Sequence, residues 1–151
     1  MADIDRLLPC PRTPRDYLDL VTDSRVDQDG LHALAHCPYS FVRLAVAKDI
    51  RTSTTTLAEM LAGEFDQWER NNFLRLVAQH AHADRGVLLR VLRETEALLR
   101  QPDVRPYAAA IALAGRQELE IHEVRRLSGL PGASKRMRRG VARALLRRGT
   151  R

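Results

Sequence analysis

Apolar residues recur at three- and four-residue spacing along almost the whole chain, and no stretch alternates β-branched and polar residues between Asn-Gly or Asp-Gly turns. That pattern predicts an all-helical protein of about nine short helices. The first covers residues 14–21, with Thr13 as cap and Pro14 at the tolerated first position. A second starts at Asp27 or Asp29, aligns Leu31, Leu34 and Ala35, and stops before Pro38. Ser40 is expected to cap a third over residues 41–48, with Val42, Ala45 and Val46 inward. Ser53 or Thr54 opens a fourth, which aligns Leu57, Met60 and Leu61.

The fifth helix begins at Asp66-Gln67-Trp68-Glu69, where Asp66 caps and Glu69 is placed to bond back to the cap's own amide. Trp68, Phe73, Leu76 and Val77 are expected to form its inner face. The sixth, residues 84–100, repeats Val87, Leu88, Val91, Leu92, Thr95, Leu98 and Leu99, and Pro102 ends it. An Ala-rich seventh over residues 104–114 should close on Gly115 as a left-handed cap. An eighth runs over residues 118–127, Gly129-Leu130-Pro131-Gly132 makes a turn, and Ser134 caps a ninth that ends near Arg148.

Short helices joined by short turns bury their faces either in a closed bundle or in a stack of repeats, and internal similarity favours the stack. Leu44-Ala45-Val46-Ala47-Lys48-Asp49, followed by Thr52, Leu57 and Leu61, is matched 31 positions later by Leu76-Val77-Ala78-Gln79-His80, followed by Ala83, Leu88 and Leu92. A third echo, Ala112-Leu113-Ala114 before Val124, lies 36 positions further on. The expected architecture is a right-handed α-α superhelix, a solenoid of the armadillo or HEAT kind, in one domain over residues 1–151. Residues 13–61 carry the best repeats, residues 62–132 degenerate ones, and residues 133–151 a basic C-terminal helix.

Leu31, Leu34, Ala35, Pro38, Val42, Arg43, Ala45, Val46, Ala47, Thr52, Leu57 and Leu61 resemble the unit of the leucine-rich repeat variant family. The resemblance implies that same superhelix and a curved surface that binds other macromolecules. Asp49-Ile50 stands where the family has Asn-Pro, and Ser53 replaces its second Pro. Some members also carry a cysteine-ligated iron-sulfur module. Cys10 and Cys37 are too few and too far apart for one, so no cofactor is expected.

Charge changes the picture at one end only. The chain holds 25 Lys+Arg against 19 Asp+Glu, and residues 133–151 contain eight bases and no acid, so the rest of the chain is slightly acidic. Around the last helix, Met137, Val141, Ala144 and Leu145 share an arc of about 100°, with Arg136, Arg139, Arg143 and Arg147 roughly opposite. Those four arginines could straddle phosphates, or could simply keep a terminal helix soluble. With Arg43, Arg51, Arg70 and Arg75 they are the candidate contacts. The acidic start and the lack of an apolar run near the roughly 18 residues a bilayer demands point to a cytoplasmic protein without membrane insertion.

Chemistry finds little purchase. His32, His36 and Cys37 place two imidazoles one helical turn apart, yet no Glu follows His32, and ligation by His80 or His82 would need tertiary contact, so no metal is expected. Glu94/Glu96 and Glu118/Glu120 fall on different helix flanks and read as solvated. HEAT-like enzymes that act on DNA bases surround an acidic group with aromatic residues. This chain has one Trp, three Tyr and three Phe, and Trp68, in register with Phe65 and Leu61, is expected in the core. The expectation is a non-catalytic scaffold that binds a protein partner, with nucleic-acid binding through the C-terminal helix as the alternative.

Overall fold

The computed structural model describes residues 4–10, 12–101 and 103–149. They are all-helical, with α1 (Ile4–Leu7), α2 (Pro14–Val21), α3 (Gln28–Leu34), α4 (Ser40–Lys48), α5 (Thr54–Met60), α6 (Gln67–Gln79), α7 (Arg85–Leu99), α8 (Tyr107–Ala114), α9 (Ile121–Arg125), a 3-10 turn (Arg126–Gly129) and α10 (Lys135–Gly149). No strand occurs among the described residues. The sequence pattern had no place for α1, and Pro102, expected to end α7, lies outside the described residues.

Caps were the readable part of the local structure. Thr13, Asp27, Ser53, Asp66, Asp84 and Ser134 each accept from an amide three residues on, which satisfies a donor the helix leaves orphaned. Three expectations need correction. Tyr39 is the N-cap residue of α4, and Ser40 is already helical; its hydroxyl donates to Glu69 Oε1 at 2.6 Å. Glu69 therefore joins α6 to α4 and does not close a capping box. Gly115 has φ −79°, a right-handed conformation, because its amide already closes a turn on the Ala112 carbonyl at 3.1 Å.

The even-numbered helices pack in chain order: α2 on α4, α4 on α6, α6 on α8 and α8 on α10. Small residues permit the closest of these approaches. Ala109, Ala110 and Ala114 of α8 are buried, and a Cβ on Gly140 of α10 would lie 2.4 Å from Ile111 Cδ1. Between each even-numbered helix and the next odd one the chain turns a corner built to one plan. The amides of Val26, Thr52, Ala83 and Leu119 donate to the carbonyls of Asp23, Asp49, His80 and Arg116 at 3.0–3.2 Å. All four donors are buried. The next residue, Asp27, Ser53, Asp84 or Glu120, is the N-cap of the following helix, and Leu31, Leu57, Leu88 and Val124, four residues further, are buried in the core.

Each corner is bonded to the one before it. Arg51 donates to the carbonyls of Val26 at 3.1 Å and of Val21. His80 Nε2 meets the Asp49 carbonyl at 2.7 Å, and His82 Nδ1 meets that of Thr52 at 2.9 Å. Arg116 donates to Ala78, His80 and Ala83 at 3.0, 2.7 and 2.9 Å, and Arg148 donates to Ala114 and Leu119. These side chains supply donors to the carbonyls of Val26, Thr52, Ala83 and Leu119, and give those of Asp49 and His80 a second donor besides the corner amide.

Candidate functional site

The repeat arginines proposed as contacts divide by what their guanidinium groups touch. Arg51 is held by Asp49 and by the preceding corner. Arg70 bonds Glu94 Oε2 at 3.0 Å and the carbonyls of Leu61 and Gly63 at 2.7 and 3.2 Å. Arg43 lies over the Phe65 ring, 4.3 Å from its centroid, and donates to the Glu64 carbonyl at 2.7 Å; its buried Nε has no partner. Arg75 is held along α6 by Asn72 and Gln79 and faces a groove. The carboxylate pairs also separate: Glu94 takes Arg70, Glu96 takes Arg126, and Glu118 takes Arg116.

On α10, Met137, Val141 and Ala144 are buried as the helical wheel required, and Arg136, Arg139, Arg143 and Arg147 are exposed. Arg148, on the flank between, is the residue that ties α10 back to α8 and the following corner.

Two adjoining grooves run along the even-numbered row. One of ≈ 590 Å³ lies between α4 and α6, with Phe41, Leu44, Ile50, Leu76 and Arg75 in its wall. The other, ≈ 300 Å³, lies between α6 and the start of α8 and is lined by Trp68, Asn71, Arg75, Arg105 and Pro106. Asn72 and Arg75 border both. Trp68, expected in the core, is 74% exposed, and Phe41 and Ile50 are 43% and 79% exposed. The helical wheel explains the correction: with Phe73, Leu74, Val77 and Ala78 inward, Trp68 projects from nearly the opposite side of α6. Asn71 Oδ1, shut off from water, has no donor. Tyr39 stacks on Phe41 at 5.9 Å and continues the aromatic surface toward Tyr17. Sequence reasoning missed Phe41 and Ile50 as exposed side chains, because polarity alone does not mark an apolar side chain left outside.

The corners also set the protonation states. His80 is 6% exposed; burial lowers its pKa from 6.5, against the bond to Asp49. Asp23 falls to about 2 through the side-chain and amide bonds of Arg25, and Glu123 to about 2 through Arg85 and the Glu120 amide. Burial works to raise Asp49, but the summed pull of Arg51 leaves it lowered. These shifts belong to structural joints, and none of the groups lines the two grooves except His80, at the edge of the first.

No helix among the described residues is long and apolar enough to cross a membrane. Family models, curated proteins and solved structures return no match to this chain.

Proposed function

We propose that the protein is a small α-solenoid of the leucine-rich repeat variant or HEAT kind that acts as a non-catalytic cytoplasmic scaffold and binds a protein partner along its even-numbered helices. The observation that carries this reading is the double groove that meets at Arg75, with Phe41, Ile50 and Trp68 exposed along it. Large apolar side chains beside a cation suit an extended segment with apolar anchors and an acidic group for Arg75. The chain-order packing of the even-numbered helices and the back-reaching corners support the solenoid. Free thiols at Cys10 and Cys37 accord with a reducing compartment.

The test is capture of partners from the native extract by the intact chain and by a Phe41→Ala, Trp68→Ala double variant. The reading expects a partner that the intact chain retains and the double variant loses; equal retention by both removes the groove as the contact surface.

A second reading, nucleic-acid binding, rests on Arg136, Arg139 and Arg143, which are exposed and whose guanidinium groups make no hydrogen bond or ion pair among the described residues. Because α10 is part of the core, it is tested by charge removal and not by truncation. Arg136→Ala, Arg139→Ala and Arg143→Ala together should abolish a steep salt dependence of duplex DNA or RNA binding. No binding by the intact chain at low salt disposes of this alternative.

A further inference from the structure

We propose that His32, His36 and Glu59 form a site for a divalent transition-metal ion, with Zn²⁺ the ion their chemistry fits best. The two histidines stand one turn apart on α3, and Glu59 comes from α5. His32 Nε2 and His36 Nε2 lie 2.9 and 3.1 Å from the same atom, Glu59 Oε2, and the three ligand atoms are within 4.8 Å of one another. Donors bound at about 2.0–2.1 Å to one zinc ion stand roughly 2.9 Å apart at right angles and roughly 3.3 Å apart in a tetrahedron. The two nitrogen–oxygen separations sit at that spacing, and the two imidazole nitrogens, within 4.8 Å of each other, are close enough for small side-chain rotations to bring all three donors onto one ion.

The ligands are borne by rigid elements. Leu31 and Leu34 on either side of His32 are buried, as are Leu57 and Met60 flanking Glu59. His32 also has the supporting contact that metal-binding imidazoles require: its Nδ1 lies 3.1 Å from Thr56 Oγ1. Thr56 is buried, and its hydroxyl oxygen accepts from Ser53 Oγ at 3.1 Å. Without metal, His32 Nε2 carries the hydrogen shared with Glu59 Oε2; an entering ion would displace it, and hydrogen on Nδ1 directed to Thr56 Oγ1 would then leave the Nε2 lone pair for the metal. Two neutral imidazoles and one carboxylate on one side of an ion leave the other side to water, beside a cavity of ≈ 380 Å³ lined in part by His36 and Glu59. Such an ion would join α3 to α5 and thereby two successive corners. Neither His80 nor His82 takes part, since both bond corner carbonyls elsewhere.

The experiment uses the untagged full chain and zinc chloride alone. Isothermal titration and equilibrium dialysis should give one ion per chain, with a Tm that rises as zinc is added. His36→Gln and Glu59→Gln alter exposed side chains; each should keep the metal-free Tm and helical content of the parent, weaken zinc binding at least tenfold and remove the zinc-dependent rise in Tm. His122→Gln, at an exposed histidine outside the site, should bind as the parent does. Substoichiometric binding, or binding that survives both Glu59→Gln and His36→Gln at the parent affinity, overturns the assignment.

Discussion

The Nε2 hydrogen of His80 is directed at the carbonyl oxygen of Asp49, 2.7 Å away and 31 residues earlier, while its Nδ1 accepts the His82 amide at 3.0 Å. One neutral imidazole thus bridges two successive corners, and its tautomer is set by the bonds on both sides. A second proton would have to enter at Nδ1 and displace the His82 amide.

That geometry predicts a specific pH dependence. Burial, ahead of the other influences, lowers the folded pKa of His80 below 6.5, so the unfolded chain takes up the proton more readily. The stability His80 contributes is complete above pH 6.5 and declines as the pH falls through its lowered value. Urea unfolding at pH 7.5 and 5.5 measures it: the parent should lose more stability across that interval than His80→Gln, which has no proton to gain. Asp23 and Glu123, at about 2, act in a separate and more acid range, between their ordinary values and pH 2. Equal slopes for parent and variant would refute the His80 assignment.

Arg116 makes the most extensive of the corner joints, with the His80 and Ala83 carbonyls of the preceding corner, the Ala78 carbonyl at the end of α6 and Glu118 on one guanidinium. Arg116→Met strips partners from three carbonyls at once and should destabilise by about 2–4 kcal/mol, given roughly 1.5–3 kcal/mol for a charged hydrogen bond and imperfect additivity. Arg116→Lys should recover only part of the loss, because an ammonium lacks the planar fork that reaches several acceptors. Chemical denaturation of the three proteins distinguishes these outcomes.

The hydrophobic register is open to direct test. Leu57 and Leu88 hold the same place, five residues beyond the buried corner residues Thr52 and Ala83, and both are fully buried. Leu57→Ala and Leu88→Ala should each cost about 2–5 kcal/mol, the range for a core leucine that leaves a cavity. An effect within experimental error at either position would mean the two are not equivalent.

Helix positions, caps and this register were legible because they rest on local chemistry: an oxygen three residues before an orphaned amide, or apolar side chains one turn apart. The common spacing of Ala47, Ala78 and Ala114, with Leu57, Leu88 and Val124 ten residues later, was visible for the same reason, and all six are buried. The corner joints were not visible. An arginine whose partner lies 24–30 residues away, a carbonyl for Arg51 and the Glu94 carboxylate for Arg70, leaves no periodic trace, so both looked the same as surface cations. Glu59 was missed beside His32 and His36 because the pairing of α3 with α5 is tertiary. Trp68 was misplaced by matching it to Phe65 and Leu61, residues that precede α6, when the face set by Phe73 and Val77 already turned it outward.

Backbone proximity makes Gly132 irreplaceable in a way composition could not reveal. Its amide donates to the Leu99 carbonyl at 2.7 Å, and an added Cβ would lie 2.5 Å from that same oxygen. Its own carbonyl accepts from the Tyr107 hydroxyl at 3.0 Å, so the turn before α10 is clasped to the end of α7 and the start of α8. Gly132→Ala forces backbone against backbone and should cost about 1–3 kcal/mol, as overpacking does elsewhere. Gly129→Ala, with nothing within 4 Å of its added carbon, is the matched control and should be close to neutral by thermal unfolding.

Trp68 separates stability from recognition. A tryptophan in the core would cost about 3–5 kcal/mol on truncation, whereas a surface change away from special features stays within about 0.5 kcal/mol. Since the indole is mostly exposed on α6, Trp68→Ala should leave the unfolding midpoint nearly unchanged. The proposed function assigns the indole to the partner, where a central aromatic anchor contributes about 2 kcal/mol or more. The same variant should therefore bind a captured partner at least tenfold more weakly while unfolding as the parent does. Loss of stability would place Trp68 back in the core, and undiminished binding would move the contact surface off the grooves on either side of α6.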